Sequence, residues 1–177
     1  MAGDASGQPA GDAEGETRFW ALLEAAWERC GAEVNQARRA AAGRIPGSEP
    51  AVAAVEGAFP VFLGALSDQC RGLPGGELAD LDRMLERRLY DIDRADIQAV
   101  TDGSDDGFLY ARGFIVAMGR DFYDAVARNP HLAVMDAECE EMCYFFAHLY
   151  RARFGAFPET GSGISRESCS NLEGWAD

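Results

Sequence analysis

Acidic side chains gather in one short stretch of the sequence, which is the first place where chemistry could occur. Between residues 91 and 106 the chain carries Asp91, Asp93, Asp96, Asp102, Asp105 and Asp106. Clustered carboxylates bind hard cations through their oxygens. They also raise one another's pKa, so that one can act as a general acid and another as a general base. The stretch predicts either cation binding or acid–base chemistry, unless the same residues only cap a helix.

Part of this stretch resembles the opening of a calcium-binding loop. Asp102, Ser104 and Asp106 alternate and are followed by Gly107. A calcium loop also needs a bidentate acid at its twelfth position, and here that position is Gly113. An EF-hand is therefore excluded, whereas Mg²⁺ or another cation bound in a different geometry stays open.

The competing interpretation of the same block is structural. Ser104 is a good N-cap, and Asp105 and Asp106 would follow in the first helical turn, where acids favour the helix dipole. Arg112 would then pair with one of these two aspartates. We assign no metal site from the sequence.

A second candidate group lies in the last predicted helix. Glu141, Phe145 and His148 are spaced so that an acid and a base share one helix face, which could support metal binding or proton transfer. A single histidine near a helix C-terminus more often stabilises the helix dipole. Cys139 and Cys143 lie one turn apart, but nothing completes a tetrahedral metal site, so two buried small hydrophobes are expected.

The residues that we predict to form a binding site share polarity and a place in one of these two groups. They are Asp102, Ser104, Asp105, Asp106, Tyr110, Arg112, Glu141 and His148. No catalytic residue is assigned, because Gly161-Ser162-Gly163 is not a nucleophile elbow and a phosphate-binding P-loop requires lysine. No cofactor is expected.

Composition narrows the classes of partner. The 177 residues carry 30 acidic and 16 basic side chains, a formal net charge of −14, and every basic residue is arginine. Nucleic acids and anionic membranes require a basic face, so neither is an expected partner. Without lysine there is no Schiff-base chemistry, and two histidines do not build a multi-histidine metal centre. A basic protein or a cationic small ligand would complement the negative net charge of the chain. A homodimer is a further possibility that the sequence leaves undecided.

Cysteine usage and the N-terminal residues indicate the compartment. Five cysteines form no C-x-x-C motif, so a disulfide scaffold is not expected. Residues 1–16 contain no basic side chain and no apolar run, unlike a secretory signal, and no stretch reaches membrane-spanning length. We expect a reduced, cytoplasmic protein.

Hydrophobic spacing predicts an all-α, compact, single-domain bundle of about six helices. Apolar residues recur at intervals of three and four, the pattern of one helix face, and no β-alternation is visible. Residues 1–16 are predicted to be a disordered acidic tail, 17–155 the helical domain, and 156–177 an irregular C-terminal tail. The expected helices cover residues 17–42, 51–70, 78–92, 94–100, 104–118, 121–128 and 136–154, with the segment at 94 either continuing its predecessor or separate.

Glycine and proline modify this helical pattern. Pro60 predicts a kink or break in its helix, and Gly119 an interruption. Asp136 is a candidate N-cap for the last helix, and Gly155 suits the position just after its end. Gly113 lies inside a predicted helix, where glycine costs about 1 kcal/mol relative to alanine, so a close neighbour is expected to pack there.

The block from Ser104 to Gly119 also resembles a known family. Its pattern S-D-D-G-F-x-Y-x-R-G-F-x-x-x-x-G is similar to the signature of the bacterial "domain of unknown function 4240" family. Phe19-Trp20, Asn129-Pro130 and the last helix resemble further segments of that family, so the likeness covers about residues 19–154. The chain departs from the usual pattern at Ala111 and Phe114, where the family carries other aromatics.

The resemblance implies a mostly helical domain and brings no established reaction, cofactor or catalytic residue. It directs attention to the surface around Asp105, Asp106, Tyr110 and Arg112. Two functions follow from the residues themselves. One is an interaction or small-ligand module with an acidic surface. The other is a small enzyme that uses the carboxylates of the Ser104–Arg112 block, with or without a divalent cation.

Overall fold

The computed structural model of the chain describes residues 8–45, 52–101 and 103–176, with side chains described from residue 13 onward. Across these ranges the protein is all-α, as predicted, and no strand is present. None of the helices described is long and apolar enough to cross a membrane. The helices are α1 Gln8–Glu28, α2 Ala32–Ala41, α3 Val52–Glu56, α4 Phe59–Cys70, α5 Gly75–Asp91, α6 Ala95–Thr101, α7 Asp105–Ala117, α8 Arg120–Arg128, α9 Glu140–Cys143 and α10 Phe145–Phe154.

The described residues form ten helices instead of the predicted six, because the segment at 94 is a separate helix, α6, and three other expected helices are interrupted. Gly31, with φ +95°, separates α1 from α2. Pro60 lies in the first turn of α4, so the predicted break is confirmed and leaves α3 as a separate short helix. Tyr144, with φ −129° and ψ 22°, divides α9 from α10. In all three places the apolar spacing continues through the break, so periodicity alone does not reveal it.

The last predicted helix also begins later than expected. Asp136 has φ +56° and does not cap a helix, and α9 begins at Glu140 instead. The end of α10 is confirmed, because Gly155 has φ +80° in the left-handed region that glycine adopts without a Cβ penalty.

The first helix begins within the segment predicted to be a disordered tail. Residues 8–16 are helical, whereas residues 1–7 lie outside the described part of the chain. Glu16 accepts hydrogen bonds from Trp20 Nε1 and from Arg88 Nη1 of α5, each at 3.3 Å. These two bonds fix the end of the acidic stretch to the domain, a tertiary effect that its polar composition does not predict.

Helix α7 forms the centre of the domain. Between Phe108 and Ala117 every side chain except that of Tyr110 is buried. Helices α5, α8 and α9 pack around it. Trp27 of α1 stacks on Phe62 of α4 with 4.4 Å between ring centroids, and its indole N–H donates to the carbonyl of Ala117 at 2.7 Å. The central helix is therefore completely enclosed on its apolar faces.

A buried arginine connects the first helices to the end of α7. Arg38 of α2 is only 2% exposed and forms a two-point ion pair with Glu24, with distances of 2.9 and 2.6 Å. It also donates to the carbonyl of Met118 at 2.6 Å. A Cβ on Gly119 would lie 2.5 Å from both Arg38 and Glu24, and the residue has φ +91°, so only glycine fits here.

The glycine inside α7 allows α9 to pack closely. A Cβ on Gly113 would collide with the carbonyl oxygen of Cys139 and lie 2.7 Å from Cys143 Sγ. The close packing expected from the sequence is confirmed at this position, and the neighbour is backbone that cannot rotate away.

Beyond Gly155 the chain is irregular apart from one 3₁₀ turn, Leu172–Trp175. We call residues 156–176 the C-terminal segment. It packs across α5 and α7, and Gly174 lies so close to Asp93 and Arg94 that a Cβ would collide with both. The segment is therefore part of the folded body rather than a loose surface tail.

Substitution of Gly113 by alanine is expected to lower the free energy of unfolding by about 1–3 kcal/mol, the usual cost of overpacking. Gly64 is the matched control, since it also lies inside a helix but a Cβ there would meet nothing within 4 Å. Gly64→Ala should raise stability by about 0.5–1 kcal/mol. Urea unfolding of both variants measures the difference, and equal effects would contradict the packing argument.

Candidate functional site

The Ser104 block caps the central helix. Ser104 is the N-cap of α7, and its hydroxyl oxygen accepts the backbone N–H of Gly107 at 3.3 Å. Asp105 and Asp106 occupy the first turn and are exposed. This is the arrangement expected from the structural interpretation of the block. Asp102 lies outside the described residues.

Arg112 does not pair with Asp105 or Asp106, as the sequence suggested that it would. Its side chain is completely buried and lies 4.9 Å over the ring of Phe108. The guanidinium donates to the carbonyl of Leu89 at 2.9 Å, to the carbonyl of Arg166 at 2.8 Å and to the Ser168 hydroxyl at 3.2 Å. Burial lowers the pKa of Arg112, and the nearby charge of Asp93 offsets part of that change. One buried donor, Nε, has no hydrogen-bond partner.

Tyr110 faces an acidic part of the surface. The charge of Glu140 raises the pKa of the Tyr110 phenol, and the charge of Asp106 adds to the effect. The Tyr110 carbonyl accepts the backbone N–H of Cys139 at 3.0 Å, which holds the start of α9 against α7. Of the predicted residues, these contacts bring together Asp106 and Tyr110.

The predicted acid–base pair is divided between two helices. Glu141 lies in α9 and His148 in α10, and both side chains are exposed. His148 stacks on Tyr144 at 6.0 Å and lies 6.1 Å from Phe157, measured between ring centroids. Because the helix breaks between them, the single face on which the pairing depended does not exist.

Metal binding finds no support in the described residues, where no three His, Cys, Asp or Glu side chains converge on a point that could hold an ion. The alternative of a small enzyme places Asp105 or Asp106 together with Arg112, and the described hydrogen-bond partners of Arg112 are two carbonyls and a hydroxyl.

The most elaborate polar arrangement surrounds Asp93, which sequence reasoning counted only as one of six clustered aspartates. This carboxylate is fully buried. Its Oδ1 accepts from the Cys169 backbone N–H at 3.1 Å and from Trp175 Nε1 at 3.0 Å. Its Oδ2 accepts from the backbone N–H groups of Ser170 at 2.7 Å and Asn171 at 2.9 Å. All four donors belong to the C-terminal segment.

A second buried ionic cluster holds Arg166 of the C-terminal segment. Its guanidinium donates to Asp82 Oδ2 at 2.6 Å, to Glu86 Oε1 at 3.2 Å and to the carbonyl of Cys143 at 2.6 Å. The ring of Tyr144 lies 5.0 Å from the guanidinium carbon. We call the surface formed by Asp82, Glu86, Asp93 and Arg112 the tail groove, because the C-terminal segment lies in it.

The ionisable groups of this cluster shift one another's pKa values. Burial raises the pKa of the Asp82 carboxyl, and the hydrogen bond and charge of Arg166 offset part of the rise. Burial alone would lower the pKa of Arg166, but Asp82 and Glu86 raise it overall. The arginine therefore stays charged in its pocket, where it offsets the cost of two buried carboxylates.

A cavity of about 360 Å³ adjoins the Arg166 pocket. Asp82 and Glu86 line it together with Tyr144, His148 and Phe157. His148 is thus the one member of the predicted second group that lies beside the tail groove. Among the first group, Arg112 forms part of the groove, and the carbonyl of Asp105 accepts the Ser168 hydroxyl at 2.7 Å.

One sequence signal, at Asp82, could have revealed the groove. The other groove residues carry no sequence pattern that predicts it. Asp82 is a charged residue on the apolar stripe of α5, between Leu78, Leu81, Leu85 and Leu89. A carboxylate on a core-facing stripe requires a buried partner. That partner, Arg166, lies 84 positions further along the chain in a segment without periodicity, and no local pattern relates the two.

Comparison with known proteins gives the class of the domain. Residues 57–152 match the family described as "Protein of unknown function (DUF4240)". Because the match covers more than half of the chain, the protein belongs to this family, as the resemblance predicted. The matched range contains the Ser104 block, whereas Phe19-Trp20 and the C-terminal segment lie outside it. No curated protein and no solved structure matches the chain.

The thiols are expected to differ sharply in reactivity. Burial raises the pKa of Cys139 and of Cys143 to about 12 and that of Cys70 to about 11. Partial desolvation and the charges of Asp93 and Asp105 also raise the pKa of Cys169, but this thiol is exposed to the reagent. Alkylation at pH 8 followed by mass spectrometry should modify Cys169 in the native protein and the three buried thiols only after unfolding. Equal rates at Cys143 and Cys169 would contradict the described packing.

Substitution Asp93→Asn should loosen the C-terminal segment. The amide keeps one acceptor oxygen and presents an NH₂ group to donors, so about two of the four hydrogen bonds are lost, and each bond to a charged acceptor contributes roughly 1.5–3 kcal/mol. Hydrogen exchange measures the result directly, because the backbone amides of Cys169, Ser170 and Asn171 should exchange much faster. Asp96→Asn is the control, since Asp96 bonds only to exposed Arg94 nitrogens. Unchanged protection in Asp93→Asn would disprove the anchoring role.

Proposed function

We propose that this protein is an interaction module whose tail groove binds an arginine-bearing segment of polypeptide. In the described structure the occupant is the chain's own C-terminal segment. The observation that carries the proposal is the burial of Arg166 against Asp82 and Glu86, together with the binding of three consecutive backbone N–H groups by Asp93.

Two groups of the groove bind mainly the main chain of the segment, although Asp93 also accepts from Trp175 Nε1 and Arg112 also donates to the Ser168 hydroxyl. Asp93 accepts the backbone N–H groups of Cys169, Ser170 and Asn171, and Arg112 donates to the carbonyl of Arg166. Bonds to backbone atoms do not depend on which side chains the bound segment carries. The exception is the position of Cys169, whose φ of +65° requires a residue that tolerates the left-handed conformation. Such contacts provide affinity for a segment that turns at residues 167–169 so that consecutive backbone N–H groups face one carboxylate.

The Arg166 pocket provides the selectivity. Two carboxylates, a carbonyl oxygen and the ring of Tyr144 surround one guanidinium. A planar guanidinium satisfies several acceptors at fixed angles and stacks on an aromatic ring, whereas the ammonium of lysine does neither equally well. The pocket is therefore selective for arginine over lysine.

The extent of the family match separates the residues of the tail groove from the C-terminal segment that lies in it. Asp82, Glu86, Asp93 and Arg112 all lie within residues 57–152, and the C-terminal segment lies outside that range. In this chain the groove residues therefore lie inside the matched range, and the segment that fills the groove lies outside it.

The partner that we propose is consequently a protein with an accessible arginine-containing segment, consistent with a chain of net charge −14. A second copy of this chain carries such a segment, so homodimerisation is one form of the same interaction. We propose neither nucleic acid nor membrane as a partner, and we propose the cytoplasm as the place of action because the five cysteines are free thiols.

The proposal predicts that the C-terminal segment binds without a covalent connection. A protease recognition sequence placed between Phe157 and Thr160 of the full chain, where Phe157 is 52% exposed, would allow the segment to be released by cleavage. The cleaved fragment should stay bound in native mass spectrometry. A fluorescent peptide of residues 159–176 should then exchange into the groove.

Variant peptides test the arginine pocket while the domain stays unchanged. Arg166→Lys should weaken binding by about tenfold, equivalent to 1.4 kcal/mol, and Arg166→Ala by more. Leu172→Ala is the matched control, because Leu172 is 78% exposed and should leave the affinity unchanged. Equal affinity for all four peptides, or immediate loss of the wild-type fragment after cleavage, would refute the proposal.

A further inference from the structure

A second cavity, of about 520 Å³, lies on the other side of α5 from the Arg166 pocket. It is enclosed by α1, by α5 and by the stretch of the C-terminal segment that contains Thr160, Gly161 and Ser162. One wall of this cavity belongs to the C-terminal segment, so the cavity is complete only while that segment occupies the tail groove.

Three arginines of α5 line the cavity, namely Arg83, Arg87 and Arg88. Among the side chains that the structure describes, Glu16 is the carboxylate of the lining, and it accepts a hydrogen bond from Arg88 at 3.3 Å. Asp80 and Asp91 pair with the arginines from outside the lining. Three guanidinium groups thus converge on one cavity of a protein whose formal charge is −14, and such a convergence offers anions a local binding point.

Two of the arginines are only weakly held by other partners. Arg83 pairs with Asp80 at 2.9 Å and Arg87 with Asp91 at 3.8 Å, both at the surface, where such pairs contribute little. Arg88 is mostly buried and pairs with Glu16 at 3.3 Å and with Asp91 at 3.2 Å, but its Nε has no hydrogen-bond partner among the described residues. A bound anion therefore has Arg83, Arg87 and the Nε of Arg88 as donors.

The segment opposite α5 also presents polar backbone. Thr160 and Ser162 are held by Glu86, to which each hydroxyl donates at 2.6 Å. Between them Gly161 has φ +66°, and a Cβ on it would meet nothing within 4 Å. Its backbone N–H makes no hydrogen bond with the described residues. A glycine in the left-handed region with an unused amide is a common component of anion-binding loops.

From this arrangement we infer that the cavity binds a small, multiply charged anion that carries phosphate or carboxylate groups. The three guanidinium groups bind the charged oxygens, and the Gly161 amide adds a neutral donor. Met84 and Ile164 form an apolar part of the wall, so the ligand has a carbon portion beside its charged end. This inference requires the C-terminal segment to lie in the tail groove of the intact chain, but it does not require the groove to accept any other peptide.

The test measures binding of two defined anions, inorganic pyrophosphate and citrate, to the full chain by isothermal titration calorimetry. Thermal unfolding with each anion is compared with NaCl at equal ionic strength, because a ligand that binds only the folded state raises the melting temperature by an amount that grows with the logarithm of its concentration above Kd. Binding of pyrophosphate alone would identify a phosphate site, and tighter binding of citrate a carboxylate site.

Paired variants separate a specific site from general charge effects. Arg83→Gln/Arg87→Gln should weaken binding by at least about tenfold, since each charge-assisted hydrogen bond contributes roughly 1.5–3 kcal/mol. Arg29→Gln/Arg71→Gln removes the same charge from exposed positions that pair only with Asp68, and binding should be unchanged. Equal losses in both double variants, or melting temperatures no higher than in NaCl for both anions, would overturn the inference.

Discussion

A fully buried guanidinium, that of Arg112, is the constraint on which the arrangement of this protein depends. A charge removed from water must be surrounded by hydrogen-bond partners, because otherwise its desolvation costs several kcal/mol. Arg112 finds them in the Leu89 carbonyl at the end of α5 and in Arg166 and Ser168 of the C-terminal segment. Three distant parts of the chain must therefore meet at the central helix before the charge is accommodated.

The same requirement explains why the C-terminal segment is ordered without regular secondary structure. Asp93 satisfies three of its backbone N–H groups and the indole of Trp175, and Asp82 with Glu86 receives Arg166. The buried charges of Asp82, Asp93 and Arg112 each meet a polar group of the segment, as the charges of a receptor meet those of a ligand. An occupant that supplied the same groups from another molecule would satisfy the same charges, which is the physical basis of the proposed interaction.

Helix α5 organises two surfaces of opposite character. Asp82 and Glu86, four residues apart, face the tail groove, and Arg83 and Arg87, shifted by one residue, line the cavity on the other side. Successive residues on a helix differ by about 100° in direction, so neighbouring positions serve different faces. Glu86 also connects the two, because Thr160 and Ser162, which line the arginine cavity, donate to it. Binding in the tail groove therefore affects where Thr160 and Ser162 lie in the wall of the arginine cavity, and binding in the cavity affects Glu86 in the groove.

The sequence alone determined the helical class, the apolar stripe of α5, the Ser104 cap and the glycine end of α10, because each depends on residues within a few positions of one another. It also determined that Gly113 packs against a close neighbour. Only the tertiary structure decided where α1 and α9 end, since apolar spacing continues through Gly31 and Tyr144. The partners of Arg112 and the pairing of Asp82 with Arg166 could not be predicted from local sequence patterns either. Contacts between residues far apart in the sequence are selected by the packed fold and leave no periodic signal.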